Sequence, residues 1–409
     1  MSTGFWVLGG YQSDFARNLA KEGLGVDALM EEVLERTLEE ASIPTEHIDV
    51  LHVGNAFGEL FTGQAHLGAM PATVHDELWG VPASRHEAAC ASGSIAVRSA
   101  MADLAAGFAD AALVVGVEVE RNVPGRTAAD HLGAAALVGH EGEPGTVLWA
   151  DMFDQVAEEY DLRYGLDDIH LRGIGANNLA NARRNPNAQT RDWHVPDLVG
   201  PAGSDDSVNP VVDGRVRRYD CSQITDGAAG LVLVNDDYLE SHPTARPVAR
   251  ITGWGHRTTG LALQPKLERS RGVDVVMPHV RDAFAEALER AGTDLDGLDG
   301  LETHDCFTPS EYMAIDHIGL TAPGESWKAI EDGEIEVGGR LPVNPSGGLI
   351  GGGHPVGATG VRMLLDAAKQ VSGSAGDYQV ERASRFATLN IGGSTATTVC
   401  FVVEGPPAH

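Results

Sequence analysis

Two segments of this chain, 250 residues apart, follow one plan without a gap, and that repetition restricts the fold more than any other feature. Residues 27–41 place Leu29, Val33, Leu34 and Leu38 at helical spacing. A short linker then leads into residues 48–57, an apolar strand and its turn. Residues 280–291 repeat the helix, and residues 298–307 repeat the strand and turn. Leu38, Glu39, Ala41, Asp49, Leu51 and Phe57 return as Leu288, Glu289, Ala291, Asp299, Leu301 and Phe307. Generic Ala/Glu/Leu helix composition accounts for part of the match, but not for the equal linker and the closing phenylalanine. A duplicated αβ unit is expected.

A second pair of elements extends the duplication. Residues 92–107 form an alanine-rich helix followed by an apolar strand at 111–118. In the other half, 357–371 is helical and 385–391 is a strand. There Gly392-Gly393 turns the chain into a further strand at 396–404, an antiparallel hairpin. The first helix lacks a clean polar stripe, as a helix covered on both faces would. Between the halves, roughly residues 121–215, periodicity weakens, and 181–189 is polar and turn-rich. The expected division is 1–120 plus 216–245 for the first half, 121–215 for an inserted loop domain, and 246–409 for the second half. Arg183, Arg184 and Arg191 lie in the insert as a candidate patch for a phosphate-bearing ligand, although surface arginines are also common.

Composition limits the function. A length of 409 residues suggests two or three domains. The formal net charge of -30 argues against a general nucleic-acid surface, which needs a basic footprint. It leaves room for a small anionic ligand held by local arginines or a helix N-terminus. Arginine outnumbers lysine; a high-salt environment and a biased base composition are both compatible with such a surface. No apolar run approaches the ~18 residues of a membrane span, and residues 1–17 read as a strand and turn rather than a leader. The four cysteines, at 90, 221, 306 and 400, form neither a CxxC pair nor a disulfide-dense pattern. A cytoplasmic location is expected.

Three segments carry candidate chemistry. His86-Glu-Ala-Ala-Cys-Ala-Ser-Gly93 puts Cys90 at the start of the alanine-rich helix, where unpaired N–H groups favour a thiolate. Alone, Cys90 reads equally well as a small buried apolar residue. Gly351-Gly-Gly-His-Pro-Val-Gly-Ala-Thr-Gly360 sets His354 in a glycine-rich loop directly before a helix, without the GxxxxGK[ST] pattern of a phosphate loop. There His354 can accept the Cys90 proton. His304-Asp-Cys-Phe307 ends the repeated strand; on a continuing strand His304 and Cys306 would share a face, and in a turn they need not. No compact second ligand pair supports a metal there, so no metal site is expected.

These segments, with Cys221-Ser-Gln-Ile-Thr-Asp-Gly-Ala-Ala229 and the Gly392-Gly393 turn, resemble the thiolase family over nearly the whole length. The HDCF segment is most similar to the sterol-carrier-protein-2-type branch. The resemblance implies an α/β duplicated fold with αβαβα layering and two five-stranded mixed sheets. It maps Cys90 to the acylated nucleophile and His354 to its activating histidine. His304 maps to an oxyanion-hole donor, Cys306 to the acid/base, and Gly393 to a backbone oxyanion donor. One departure stands out. Many thiolases place a second catalytic cysteine before the terminal glycine turn, but this chain has Asn390-Ile-Gly-Gly. Cys221 and Cys400 then read as structural.

The implied reaction is thiolytic cleavage of a 3-ketoacyl-CoA through an acyl-Cys90, or its reverse, with coenzyme A as substrate or product and no metal or redox cofactor. The rivals are a ketoacyl-synthase-like enzyme using an acyl-carrier protein, against which HDCF weighs, and a sterol side-chain aldolase, against which Cys90 weighs. A third is a non-catalytic scaffold bound to a small zinc-containing acyl-CoA-binding partner. A homodimer or homotetramer is expected, and from the charge no nucleic-acid partner.

Overall fold

The repeat appears in three dimensions at its own offset. The structure is a computed structural model that describes residues 4–142 and 146–406. Its main elements in the first half are β1 (Phe5–Gln12), α1 (Val26–Ala41), β2 (Val50–Gly54), β3 (Ala83–His86), α2 (Ser92–Ala106) and β4 (Ala111–Glu118). An intervening segment carries α3 (Leu148–Tyr164), α4 (Asp168–Ala182), β5 (Val211–Asp213) and β6 (Val216–Arg217), and β7 (Gly227–Val234) returns to the first half. The second half comprises β8 (Ala249–Thr258), α5 (Pro278–Ala291), β9 (Leu301–Thr303), α6 (Thr308–His317), α7 (Val356–Ser372), β10 (Arg385–Gly392) and β11 (Thr397–Glu404).

Helix α1 ends on Ser42 and α5 on Gly292, both left-handed, and each terminus closes two backbone hydrogen bonds onto the preceding turn. Asp49 accepts from the N–H groups of Asp110 and Ala111 at the start of β4. Asp299 does the same for Ser384 and Arg385 at the start of β10. The repeated aspartate therefore ties each short strand to its longer neighbour.

Sheet order is β3-β2-β4-β7-β1-β8-β11-β10-β9. The order mirrors about the β1/β8 boundary, with β1, β7, β4 and β2 answered by β8, β11, β10 and β9. The two halves join edge to edge because Phe5–Val7 pairs antiparallel with Ala249–Ile251. This corrects the expectation of two separate five-stranded sheets. Among the described residues the first half does supply five strands, but the second supplies four. Where β3 lies parallel to β2, the second half makes only one bridge, Leu301 to Val343. Val343 is followed by Asn344, with its φ of 51°, and Pro345, which has no N–H to extend a ladder.

Strand parity builds the layers. In β4, Ala112 and Val114 face one apolar cluster with Val97 and Ala100 of α2 and Leu364 and Ala368 of α7. Leu113 and Val115 face the opposite cluster with Leu29, Val33 and Leu34 of α1. Strand β11 behaves alike, with Val399 and Phe401 on the α2/α7 side and Cys400 and Val402 against Val280 and Phe284 of α5. Helices α2 and α7 thus lie between the two half-sheets, with α1 and α5 outside. Cys400 is a packing residue of the outer core.

The segment between the halves is more regular than its sequence suggests, since α3 and α4 are two long helices. Helix α4 lacks an apolar stripe because its buried face is partly amide. Asn178 donates to Asp305 and Glu311, and Asn181 donates to the Asn344 carbonyl. Just beyond α4, Asn185 donates to the Ser346 carbonyl. Asn181 and Asn185, in the polar, turn-rich stretch at 181–189, are therefore buried supports for the loop that carries His354.

Candidate active site

Cys90 and His354 meet because two helices start close together. Each residue precedes, by three positions, a glycine at the crossing of α2 and α7. A Cβ on Gly93 would lie 2.8 Å from the Gly357 carbonyl oxygen, and one on Gly116 would lie 2.4 Å from the same atom. A Cβ on Gly357 would lie 2.7 Å from the Gly54 oxygen. Those contacts are backbone, so no side chain can rotate out of the way, and the four glycines let both helices sit directly on β2 and β4.

Cys90 follows Ala89, whose φ of 51° re-aims the chain into α2. The sulfur takes a hydrogen bond from the Gly393 backbone N–H, which lowers its pKa, yet burial dominates and pushes the thiol up to about 12. The helix start does not make Cys90 a resting thiolate, and attack requires a base.

His354 lies beside the thiol, its donor atom within 4.8 Å of the Cys90 sulfur. Its backbone N–H donates to Thr225 Oγ1, and its Nδ1 lies 2.6 Å from Thr359 Oγ1. The Thr359 hydroxyl donates to the Pro355 carbonyl, so its oxygen accepts from His354 Nδ1–H. Nε2 is left as a lone pair, buried and without a hydrogen-bond partner. Burial, reinforced by Arg362, holds the imidazole down to about 3, and it is neutral at physiological pH.

His304 and Cys306 lie in the turn after β9. Asp305 between them accepts from the N–H groups of Leu349 and Ile350, which fastens this turn to the short helix Gly348–Gly352 just ahead of His354. His304 is fully buried, 3.1 Å from Asn390 Nδ2 through Nδ1, and its ring crosses that of His354 with centroids 5.4 Å apart. Donor atoms of Cys90, His304 and His354 all lie within 4.8 Å of one another. Cys306 is buried, and its thiol is raised well above the usual range, first by burial and then by Cys90 and Asp305.

Cys90, Cys306, His354 and Gly393 line one cavity of about 660 Å³. Phe153 and Phe307, stacked at 5.0 Å, form part of its apolar wall, with Phe57 and Trp149. Cys221 lines it too: its neighbour Ser222 donates to the Cys306 carbonyl, so the segment read as structural also forms the wall. The arginines at this cavity are Arg121 and Arg218. Arg183, Arg184 and Arg191 gather around a different cavity of about 490 Å³. There Arg191 is paired with Asp14 at 2.7 Å and Arg184 donates to Asn181.

Comparison with known proteins gives a consistent picture. Residues 7–192 match the model described as "Thiolase, N-terminal domain", and residues 265–405 match "Thiolase C-terminal domain-like". The acetyl-CoA acetyltransferase of Methanothermobacter thermautotrophicus is 32% identical over 365 residues, covering 89% of this chain and 91% of that protein. Human sterol carrier protein 2 is 26% identical, covering 98% of this chain and 72% of that protein. Among solved structures, the Ltp2-ChsH2(DUF35) aldolase superposes with a TM-score of 0.79 at 19% identity, covering 99% of each chain.

Proposed function

The chain belongs to the thiolase family, and from that premise we propose that it cleaves 3-ketoacyl-CoA with CoA, or runs the reverse condensation, through an acyl group carried on Cys90. Its general activity is that of an acyl-CoA C-acyltransferase. The observation that carries the finer reading is the convergence of Cys90, His304 and His354 donor atoms within 4.8 Å beside the Cys306 cavity.

In the cleavage direction His354 Nε2 takes the Cys90 proton as sulfur attacks the ketone carbon. His304 and the Gly393 N–H stabilise the oxyanion. The carbon–carbon bond breaks, the electron pair passes to the thioester α-carbon, and the neutral Cys306 thiol protonates it, leaving a Cys306 thiolate. Free CoA then gives its proton to Cys306 and its sulfur to the acyl carbon, while His354 returns its proton to Cys90. Protons and bonds balance over the cycle. The raised pKa of Cys306 suits an acid that must start protonated.

Arg121 and Arg218 line this cavity, while Arg183, Arg184 and Arg191 line the other one. This supports Arg218 as a contact for the phosphates of an entering CoA, Arg121 being bonded to the Ala16 and Arg17 carbonyls. Strand β3, at the open end of the sheet, is the proposed contact for a second copy of the chain.

The test is cleavage of a panel of 3-ketoacyl-CoA substrates with free CoA, followed by intact-mass analysis. An acyl adduct lost in Cys90→Ala is expected. Absence of both cleavage and adduct across short, long and branched substrates would reject the assignment. Full activity in Cys306→Ala would reject its acid/base role alone.

A further inference from the structure

Asn390 occupies the position where many thiolases carry a second catalytic cysteine, and its surroundings give it a different task. It is fully buried in the middle of β10. Its Oδ1 accepts from the Ser94 hydroxyl at 2.8 Å, and its Nδ2 lies 3.1 Å from His304 Nδ1. Ser94 belongs to the first turn of α2, the helix that begins two residues after Cys90, so the chain of bonds runs from that helix through β10 to the turn after β9. Gly360 of α7 makes space for it: a Cβ there would lie 2.3 Å from Ser94 Oγ and 2.8 Å from Asn390 Oδ1.

A carboxamide is directional. Its oxygen only accepts and its nitrogen only donates. With Oδ1 committed to Ser94, the amide presents N–H to His304, whose Nδ1 must then hold a lone pair. The ring proton is thereby placed on Nε2, an atom that is buried and has no hydrogen-bond partner. His354 shows the opposite arrangement, because Thr359 takes its Nδ1–H and frees the Nε2 lone pair. Two neutral histidines whose ring centroids lie 5.4 Å apart therefore carry opposite tautomers, one suited to accept a proton and the other to donate a hydrogen bond.

We propose that Asn390, oriented by Ser94, is a positioning residue that fixes His304 as the Nε2–H donor of the site. The role rests on the thiolytic reading above, although the tautomer itself can be measured without substrate. The same proton on Nε2 makes Cys90, His304 and His354 a poor set of metal donors despite their proximity, since only His354 offers a free ring lone pair. If the amide were set the other way, His304 would carry its proton on Nδ1 and present no donor to an oxyanion.

The experiment pairs spectroscopy with one variant. In the full-length native protein labelled with 15N-histidine, His304 should show a protonated Nε2 and an unprotonated Nδ1. A protonated Nδ1 overturns the proposal even if no variant folds. In Asn390→Asp the introduced carboxylate accepts from Nδ1–H and strips Nε2 of its proton. The turnover number should then fall about 10²–10³-fold near neutral pH, the size of one lost oxyanion donor, while KM stays close to native. Acid should restore activity relative to native, because protonating either the carboxylate or the imidazole returns a hydrogen to Nε2. A variant profile parallel to the native one, or native turnover at neutral pH, also overturns it. A native enzyme that cleaves no 3-ketoacyl-CoA rejects the thiolytic reading and leaves the tautomer measurement standing on its own.

Discussion

At the scale of single residues, burial sets the protonation of the candidate site. His354 is held at about 3, against 6.5 for a free imidazole, chiefly by burial. Between those two values the unfolded chain binds a proton that the folded chain refuses. The stability contributed by neutral His354 is thus complete above pH 6.5 and is lost as pH falls toward 3. Urea unfolding at a series of pH values from 7.5 to 4.5 should show stability falling with acid. In His354→Asn that slope should be shallower by up to about 1.4 kcal/mol per pH unit, the equivalent of one proton. Equal slopes would place His354 in contact with solvent. His354 was legible in the sequence because it stands in a glycine-rich loop directly ahead of a helix, and Cys90 was legible only together with the other two segments. Asn390 was not: its partners, Ser94 and His304, lie 296 and 86 positions away, and only folding shows what its amide does.

At the scale of elements, the spacing of Cys90 and His354 is set by how closely α2 and α7 cross. Gly93→Ala would drive a Cβ to 2.8 Å from the Gly357 oxygen and 2.9 Å from the Val361 nitrogen. Relief requires the helices to separate, which also separates Cys90 from His354. The expected cost is about 1–3 kcal/mol of stability, and a displacement near 1 Å is enough to lower turnover about 10²-fold. Gly107→Ala is the control. It sits at the far end of α2 with φ 70° and nothing within 4 Å of its Cβ, so it should lose about 1 kcal/mol through strain and keep its turnover. Comparable kinetics in the two variants would show that the crossing does not set the site. The elements of the repeat could be read from sequence because each buries one face and ends on a local signal, such as Asp49 and its counterpart Asp299. Helices α3 and α4 could not; α4, for one, meets Glu311 of α6 and the Asn344 carbonyl through asparagines, and periodicity measures apolar burial alone.

At the scale of the whole molecule, the two ends of the nine-stranded sheet are unequal. At one end β9 is three residues long, and its outer neighbour is a single bridge at Val343 followed by Pro345. At the other end β3 keeps an unpaired outer edge, and Trp79, 80% exposed, lies four residues ahead of it. If a second chain extends the sheet as proposed, the β3 end is the open one, and the exposed Trp79 is the residue whose covering would report it. Two such chains bring together bodies of formal charge -30 each. At 0.01 M salt the screening length of about 30 Å leaves that repulsion active across a subunit, and at 1 M it falls to about 3 Å. Sedimentation velocity should show an assembly that dissociates on dilution at low salt and tightens as KCl is added. Trp79→Asp should shift it toward monomer at every salt concentration. A species whose size ignores both salt and Trp79→Asp would move the contact away from β3, and a monomer throughout would remove it. Salt should raise the unfolding temperature of the isolated chain as well, because the same screening relieves repulsion within it. The assembly is distinguished by dependence on protein concentration, which intrachain relief does not produce.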